Sequence, residues 1–319
     1  MKLRGIEFGH VFNASGARGF VGEGYWFHRF ARPFGLSWEG STLVTKTTTL
    51  FPREGNMPLD TEGRPMDLFP RCIVVKAPAG VVLNAVGLSG PGAHALANRW
   101  RAELPSDPVV ISMAYVKVDE VDRLGTFARG LADVVGGVLR LRAKDTTAIQ
   151  VNVSCPNTGE GAGRRAAEEA TAFLDAFAPL DVPAMVKINA LTPVTIAARI
   201  AEHPGCDALV VSNTIPWGQL PERIDWKGLF GSNVSPLARF GGGGLSGAPL
   251  LSIVADWLID ARGSGIKKPI VGGGGILTKA DADVLIDAGA SAVELGSVAI
   301  LRPWRVRGIV QHVNDRLGR

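Results

Sequence analysis

The sequence predicts an α/β fold, a (β/α)8 TIM barrel with a β-rich capping excursion. The chain has 319 residues, a length close to that of one α/β barrel. Short apolar runs rich in β-branched residues alternate with longer stretches of helical spacing, the order that builds a parallel sheet. Glycine turns follow the last two runs. We therefore expect one domain over residues 1–319, with residues 47–92 inserted as a capping segment.

Eight runs are predicted as the barrel strands, because each is short, apolar and mostly β-branched. They are Val11–Ala14, Thr42–Lys46, Val109–Ala114, Ile149–Val153, Ala184–Ile188, Leu209–Ser212, Pro269–Val271 and Val293–Leu295. Helical spacing predicts helices over Ala166–Ala178, Thr195–Ala201, Leu250–Ala261 and Lys279–Ala288. Polar residues and glycines collect at the carboxyl ends of the later strands, which is where a barrel of this class carries its chemistry.

Two segments depart from this alternation. Residues 47–92 are rich in proline and glycine and contain the apolar runs Ile73–Val75 and Val81–Leu83 with no helix between them, which predicts a β-rich cap. The segment Tyr25–Ser37 is rich in aromatic and basic residues. It could cover an edge of the core or contact another chain, and the sequence leaves the role of residues 17–37 open.

Composition excludes several classes of protein. The 34 Lys and Arg residues exceed the 30 Asp and Glu by four and are scattered singly, so the charge gives no reason to expect a nucleic-acid partner. No apolar run is long enough for a membrane span, and the start lacks the apolar core of a signal peptide. We expect a soluble, cytoplasmic protein. The three cysteines are too few and too unpatterned for a disulfide framework or a metal site.

Glycine turns predict a phosphate site. Gly272–Gly275 follows the seventh predicted strand, and Gly296 and Ser297 follow the eighth. Glycine lets the backbone approach a ligand closely, and N–H groups at a helix start attract an anion. A third glycine-rich loop, Gly241–Gly247, lies one unit earlier and can add donors from Ser246 and Gly247. The alternative is that these glycines merely permit sharp turns, but two such turns at consecutive late strands favour a phosphate-bearing ligand.

A thiol lies between two amides after the fourth predicted strand, in the run Asn152-Val153-Ser154-Cys155-Pro156-Asn157-Thr158. Asparagine donates and accepts hydrogen bonds, which suits the amide edge of a flat heterocycle. Cys155 could accept a proton or act as a nucleophile if its thiolate is favoured. The alternative is a buried structural cysteine, which is our interpretation of Cys72 and Cys206 in their apolar surroundings.

Two lysines lie at the ends of apolar strands, Lys46 and Lys187. A buried ammonium is costly without an anionic or accepting partner, so each either has such a partner or extends to solvent. Asn84, Asn213 and Thr214 add polar groups beside strand or loop ends. Together these residues predict a barrel rim with amides, lysines, a thiol and phosphate turns.

These motifs together resemble the dihydroorotate dehydrogenase family. The resemblance rests on Asn152–Thr158, Val44–Thr48, Pro52–Asn56, Ser212–Thr214, Gly243–Gly247, and Gly272–Gly275 with Gly296 and Ser297. It runs in the family's order from about Asn13 to Trp304. It implies an FMN-binding barrel with substrate-binding residues Lys46, Asn84, Asn152, Asn157, Asn213 and Thr214. The implied cofactor-binding residues are Ala14, Ser15, Gly16, Lys46, Asn152, Lys187, Ser246, Gly247, Gly274, Gly275, Gly296 and Ser297.

The resemblance also implies a reaction, the FMN-dependent oxidation of dihydroorotate to orotate in de novo pyrimidine biosynthesis. Cys155 would take the proton from C5, a hydride would pass from C6 to flavin N5, and Lys46 would face both flavin and substrate. Cysteine at this position resembles the soluble class of the family, whereas membrane-bound members have serine. The segment Thr158–Arg164 is a predicted lid. A homodimer is implied, and the electron acceptor stays open between fumarate and NAD through an iron–sulfur/FAD electron-transfer subunit.

Three departures keep other functions open. Residues 17–37 do not match the family pattern, Val86 stands where members often carry methionine, and Asn189–Pro193 resembles the related dihydropyrimidine dehydrogenase barrel. One alternative is therefore a flavin barrel acting on another dihydropyrimidine. Others are a non-redox barrel enzyme that binds a phosphate ligand, and a scaffold that binds a partner through the aromatic residues of Tyr25–Ser37.

Overall fold

The computed structural model describes residues 1–117, 124–141, 146–153 and 162–318, the last range without the side chains of residues 162–164. Its strands are β1 (Lys2–Leu3), β2 (Ile6–Glu7), β3 (Val11–Asn13), β4 (Leu43–Val44), β5 (Ile73–Lys76), β6 (Val81–Asn84), β7 (Val109–Met113), β8 (Thr147–Asn152), β9 (Ala184–Ile188), β10 (Ala208–Val211), β11 (Ile215–Pro216), β12 (Gly244–Gly247), β13 (Ile270–Gly273) and β14 (Ala292–Leu295). Its helices are α1 (His28–Ala31), α2 (Ala93–Glu103), α3 (Leu124–Leu139), α4 (Ala162–Phe177), α5 (Val194–Glu202), α6 (Trp226–Phe230), α7 (Leu250–Gly263), α8 (Lys279–Asp287), α9 (Val298–Leu301) and α10 (Val306–Leu317).

Within the described ranges, eight parallel strands form a closed barrel. Their order is β3-β14-β13-β10-β9-β8-β7-β4. The two ends of this order meet, because Phe12 and Thr42 form a parallel bridge and Thr42 N donates to Val11 O over 2.8 Å. The predicted (β/α)8 barrel is confirmed, and each predicted barrel strand is found within two residues of its predicted start.

Alternation along the strands divides the core into two layers. Phe12, Val44 and Met185 belong to a cluster inside the barrel, which the amino-terminal residues Met1 and Leu3 join. The intervening residues pack instead against the surrounding helices in a larger cluster. This division follows from the period of two along a β-strand. The apolar interior fills the amino end of the barrel, so the polar residues occupy the carboxyl end.

A smaller antiparallel sheet covers one side of the carboxyl end. Its order is β11-β12-β6-β5, so the two runs predicted within residues 47–92 form a hairpin, as expected. The predicted loop Gly241–Gly247 differs from the structure, because its second half is strand β12, paired with β6. Gly247 has φ +113°, and a Cβ there would collide with the carbonyl oxygen of Gly80. Only glycine permits this pairing, which explains why a strand forms from residues of low strand propensity.

The segment Tyr25–Ser37 both covers the core and exposes aromatic rings. His28 and Leu36 are buried, whereas Phe30 and Phe34 are 57% and 77% exposed. The exposed Trp26 lies 5.9 Å from the ring of Phe69 in the capping segment. The segment therefore covers part of the core, as one interpretation expected, whereas a contact with another chain stays a prediction. No helix in the described ranges combines the length and apolar character that a membrane span requires.

Candidate functional site

A cavity of about 590 Å³ opens at the carboxyl end of the barrel, within the usual size range of small-molecule sites. Every predicted site residue within the described ranges lines it: Ala14, Ser15, Gly16, Lys46, Asn84, Asn152, Lys187, Asn213, Thr214, Ser246, Gly247, Gly274, Gly275, Gly296 and Ser297. Cys155 and Asn157 lie outside the described residues, as do residues 158–161 of the predicted lid. The sequence predictions thus converge on one space.

The floor of the cavity is a layer of hydrogen-bonded polar side chains. Thr47 Oγ1 lies at its centre, 2.6 Å from Ser15 Oγ and 2.9 Å from Ser112 Oγ. Asn152 Nδ2 donates to Thr47 Oγ1 over 3.2 Å, and Ser112 donates to Gln150 Oε1 over 3.0 Å. Because buried polar groups with satisfied hydrogen bonds are held in one arrangement, this layer fixes the orientation of the Asn152 amide.

Amide groups from different strands face the same side of the cavity. Asn213 Nδ2 donates to Asn152 Oδ1 over 3.4 Å, and its own Oδ1 accepts the backbone N–H of Thr214 over 2.8 Å. Asn84 reaches the cavity from β6 of the capping sheet, where its Nδ2 donates to Gly244 O over 3.4 Å. The arrangement offers amide donors and acceptors from the barrel and from the cap to one ligand.

Lys46 follows β4 and lies in the wall of the cavity beside Gly16. Its Nζ donates to the backbone carbonyl of Ser89 and lies 4.9 Å from the centroid of the Phe20 ring. Burial lowers the pKa of Lys46 to about 8, against a smaller upward effect of Glu23. A cation on this wall attracts an anionic ligand, and a lowered pKa allows it to exchange a proton near neutral pH.

Lys187 has an anionic partner, as the sequence required of a buried ammonium. Its Nζ lies 2.6 Å from Oε2 of Glu294, and the two side chains are 5% and 2% exposed. The second carboxylate oxygen of Glu294 is buried without a hydrogen-bond partner among the described residues. Glu294 also lines the cavity. Sequence analysis missed it, although a charge inside the apolar run Val293–Leu295 is the same signal that identified the lysines.

The glycine turns lie against a helix start. Gly275 has φ +77°, and a Cβ there would be 2.7 Å from the backbone nitrogen of Leu251 in the first turn of α7. A Cβ at Gly274 would be 3.2 Å from Leu250 Cβ. Because neither residue has a side chain, the turn after β13 lies directly on the amino end of a 14-residue helix. Backbone N–H groups and the helix dipole therefore favour an anion at this end of the cavity.

Tyr25 is a further cavity residue whose part in the site the sequence left open. Its hydroxyl donates to Gly16 O over 3.1 Å, and its backbone N–H donates to His28 Nδ1 over 3.2 Å. The other nitrogen of His28 lies 3.1 Å from Ala299 O in α9. These contacts fit a neutral imidazole that accepts at Nδ1 and donates at Nε2. His28 thus joins the Tyr25 segment to the helix that follows β14.

The chain is similar to known dihydroorotate dehydrogenases over nearly its whole length. The family model described as dihydroorotate dehydrogenase matches residues 2–317. The dihydroorotate dehydrogenase B (NAD(+)) catalytic subunit of Cutibacterium acnes is 32% identical over 302 residues, 92% of this chain and 84% of the relative. That of Desulforudis audaxviator is 33% identical over 96% of this chain and 88% of the relative. Dihydroorotate dehydrogenase A (fumarate) of Lacticaseibacillus paracasei is 32% identical over 89% of this chain and 86% of the relative.

The fold has a solved counterpart. A crystal structure of the enzyme from Eimeria tenella in complex with ferulenol superimposes with a TM-score of 0.65. It covers 99% of this chain and 82% of that chain, at 21% sequence identity. At this identity the likeness supports the barrel architecture alone.

Proposed function

This chain belongs to the dihydroorotate dehydrogenase family of oxidoreductases, and on that premise we propose that it oxidises dihydroorotate to orotate with FMN as the bound cofactor. The proposal is carried by one observation. The amides Asn84, Asn152 and Asn213 and the lysines Lys46 and Lys187 share a single cavity with the glycine turns. A cyclic amide, its carboxylate and a cofactor phosphate each have partners there.

The residues present fit FMN. The turn at Gly274 and Gly275 lies against the start of α7 because it has no side chains, which suits a phosphate group at that end. The orphaned Oε1 of Glu294 is a buried acceptor that lacks a donor among the described residues, and a heterocycle with an N–H group or an ordered water would supply one. Ala14, Ser15 and Gly16 line the cavity with small side chains or none, beside the turn that follows β14. When bound, FMN would supply the acceptor for the hydride.

The chemistry proposed for the chain's own residues is proton removal and substrate orientation. The C5–H and C6–H bonds break and the C5–C6 double bond forms. The proton from C5 passes to the thiolate of Cys155, and the hydride with its two electrons leaves from C6. Cys155 lies outside the described residues, and the role proposed for it rests on the family resemblance of the run Asn152–Thr158. Asn152 and Asn213 would hold the amide edge of the ring, so that C5 faces the thiol.

The route of the electrons away from the site stays a proposal with two branches. Relatives of nearly equal identity are named as an NAD(+) enzyme's catalytic subunit and as a fumarate enzyme. The word subunit implies a partner protein in the first case. We propose an iron–sulfur/FAD electron-transfer subunit as the partner if fumarate fails to reoxidise the enzyme. The homodimer implied by the resemblance is proposed alongside, with sedimentation equilibrium as its test.

The direct test is anaerobic titration of the purified protein. We expect a yellow protein whose flavin absorbance is bleached by dihydroorotate and restored by fumarate or by NAD with a partner subunit. Bleaching by dihydrouracil and none by dihydroorotate would instead identify another dihydropyrimidine as substrate. Protein that yields no flavin on extraction, and retains none after incubation with FMN, would contradict the proposal and favour a non-redox enzyme.

A further inference from the structure

Glu294 is a carboxylate in the cavity wall that the proposed reaction does not use. Its Oε2 is 2.6 Å from Lys187 Nζ, and its Oε1 is buried with no hydrogen-bond partner in the described part of the chain. The residue is 3% exposed. A buried charged oxygen without a donor is unfavourable, so the arrangement is complete only when something in the cavity meets this atom.

The chain makes specific room for this pair. Lys187 lies on β9 and Glu294 on β14, and β10 and β13 lie between them in the barrel order. The pair therefore spans the width of two strands across the barrel interior. Residue 273 on β13 is glycine, and a Cβ there would be 2.9 Å from Glu294 Cβ and 3.2 Å from its Oε2. Any larger residue would displace the carboxylate, so Gly273 preserves its reach to Lys187.

The pair changes what the cavity presents to a ligand. A lone ammonium in a poorly solvated wall attracts negative charge strongly, because the effective dielectric constant there is low. With Glu294 in contact, the carboxylate offsets much of the field of the ammonium, and the remaining dipole field falls off faster with distance than that of a single charge. Reduction adds electrons to a bound flavin. A lone Lys187 would hold the reduced form more tightly than the oxidised form, whereas the neutral pair holds them more evenly.

We propose that Glu294 is the counter-charge that sets the reduction potential of the flavin in this site, by neutralising Lys187. The inference rests on the proposed function, because it requires FMN in the cavity. Glu294 is a positioning residue in this role, since it acts through Lys187 and the field of the pair. Its effect is a lower potential than Lys187 alone would give, which favours passage of electrons onward to the acceptor.

A double-mutant cycle tests this assignment by a readout other than activity. The midpoint potential of bound FMN and its dissociation constants in both oxidation states are measured for the wild type, Glu294→Gln, Lys187→Gln and the double variant. Glu294→Gln keeps the shape and removes the charge. We expect it to raise the affinity for reduced FMN relative to oxidised FMN at least tenfold. This change raises the midpoint potential by about 30 mV for a two-electron couple. Lys187→Gln should shift the potential the other way, and the double variant should return towards the wild type.

Two further variants separate the charge from folding. Glu294→Asp keeps the charge and should stay closer to the wild-type potential than Glu294→Gln. Glu169→Gln removes a buried carboxylate on α4, outside the cavity lining, and should leave the potential unchanged. If Glu294 had a merely structural role, its loss would weaken the binding of oxidised and reduced FMN equally. The ratio of the two dissociation constants, and so the potential, would not change.

The outcomes distinguish this inference from the proposed function. One outcome overturns the inference alone: the wild type binds FMN, and Glu294→Gln changes the ratio of FMN affinities in the two oxidation states by less than about twofold. Shifts of the two single variants in the same direction also overturn it, because two opposite charges must move the potential in opposite directions. If Glu294→Gln does not fold, the double variant is compared with Lys187→Gln instead. Equal midpoint potentials in these two variants overturn the inference. A wild type that binds no FMN overturns both proposals.

Discussion

The ammonium of Lys46 lies over the face of Phe20, 4.9 Å from the ring centroid, while its Nζ donates to the carbonyl of Ser89. The cation therefore meets a ring face and a neutral oxygen in the cavity wall. Neither is a full counter-charge. Burial consequently dominates, and the pKa of Lys46 falls to about 8 from an ordinary value of 10.5.

Lys46 should make the protein more stable as the pH rises from 8 towards 10. In this window the folded protein has released the proton from Lys46, whereas the unfolded chain still holds it. The free energy of unfolding then increases with pH, by on the order of 1 to 3 kcal/mol from this residue. Urea unfolding at pH 8 and pH 10 measures this increase. The variant Lys46→Met should lack it, and an equal increase in both proteins would contradict the assignment.

His28 and Glu169 should have opposite effects on acid stability. Burial lowers the pKa of His28 to about 4, so the unfolded chain binds a proton that the folded protein refuses between pH 6.5 and 4. The contribution of His28 to stability is therefore lost as the pH falls through this range. Burial raises the pKa of Glu169 to about 7, so between pH 7 and 4.5 the folded protein binds the extra proton. Its contribution grows as the pH falls.

Single variants separate these two contributions. Glu169→Gln should lose stability more steeply than the wild type between pH 6.5 and 4.5, because the contribution of His28 is then unopposed. His28→Gln should show a shallower loss than the wild type, or a gain, over the same range. Urea unfolding at half-unit intervals of pH provides the comparison. Parallel profiles for all three proteins would show that neither group titrates as its burial requires.

The barrel was predictable because its strands are buried on both faces. Such a strand requires a nearly continuous run of apolar residues, and Ala184–Ile188, apolar except for Lys187, has the same bounds in the sequence prediction and in the structure. The glycine turns after β13 and β14 were equally visible, since a local backbone requirement selects the residue type. Both patterns are local, so each can be recognised from neighbouring residues without knowledge of the rest of the chain.

Two features that sequence analysis missed depend on contacts between distant segments of the chain. Strand β12 forms from Gly244–Gly247, whose residues have low strand propensity, because β6 pairs with it from 160 residues away. Tyr25 lines the cavity because His28 connects its segment to α9, a contact that no spacing reveals. Glu294 was accessible in principle, since a charge within an apolar strand was the reason for choosing Lys187.

A methyl group at residue 247 should cost more than one at residue 218. Both glycines have positive φ, +113° and +81°, so alanine is strained at either. A Cβ at residue 218 would meet nothing within 4 Å, whereas one at residue 247 would collide with Gly80 O and lie 2.9 Å from Val81 Cα. We expect Gly218→Ala to cost about 1 kcal/mol and Gly247→Ala about 2 kcal/mol more. Urea unfolding measures both, and equal costs would exclude close packing of β12 on β6.

Removal of the Cys155 thiol should slow flavin reduction strongly without releasing the flavin. The proposed base would contact the pyrimidine, whereas the groups proposed for the phosphate lie at the turns after β13 and β14. Cys155→Ala should therefore retain FMN with the wild-type stoichiometry and lose about 10²- to 10⁴-fold in the rate of anaerobic bleaching by dihydroorotate. Stopped-flow absorbance measures this rate.

Cys206→Ala is the matched control, because its sulfur is buried and burial raises the pKa of this thiol to about 12. That variant should reduce its flavin at the wild-type rate, since a thiol that stays protonated and out of the cavity takes no proton from substrate. Normal reduction in Cys155→Ala would assign the proton to another group of the site, with Lys46 the first to examine, because its lowered pKa leaves it partly deprotonated at neutral pH.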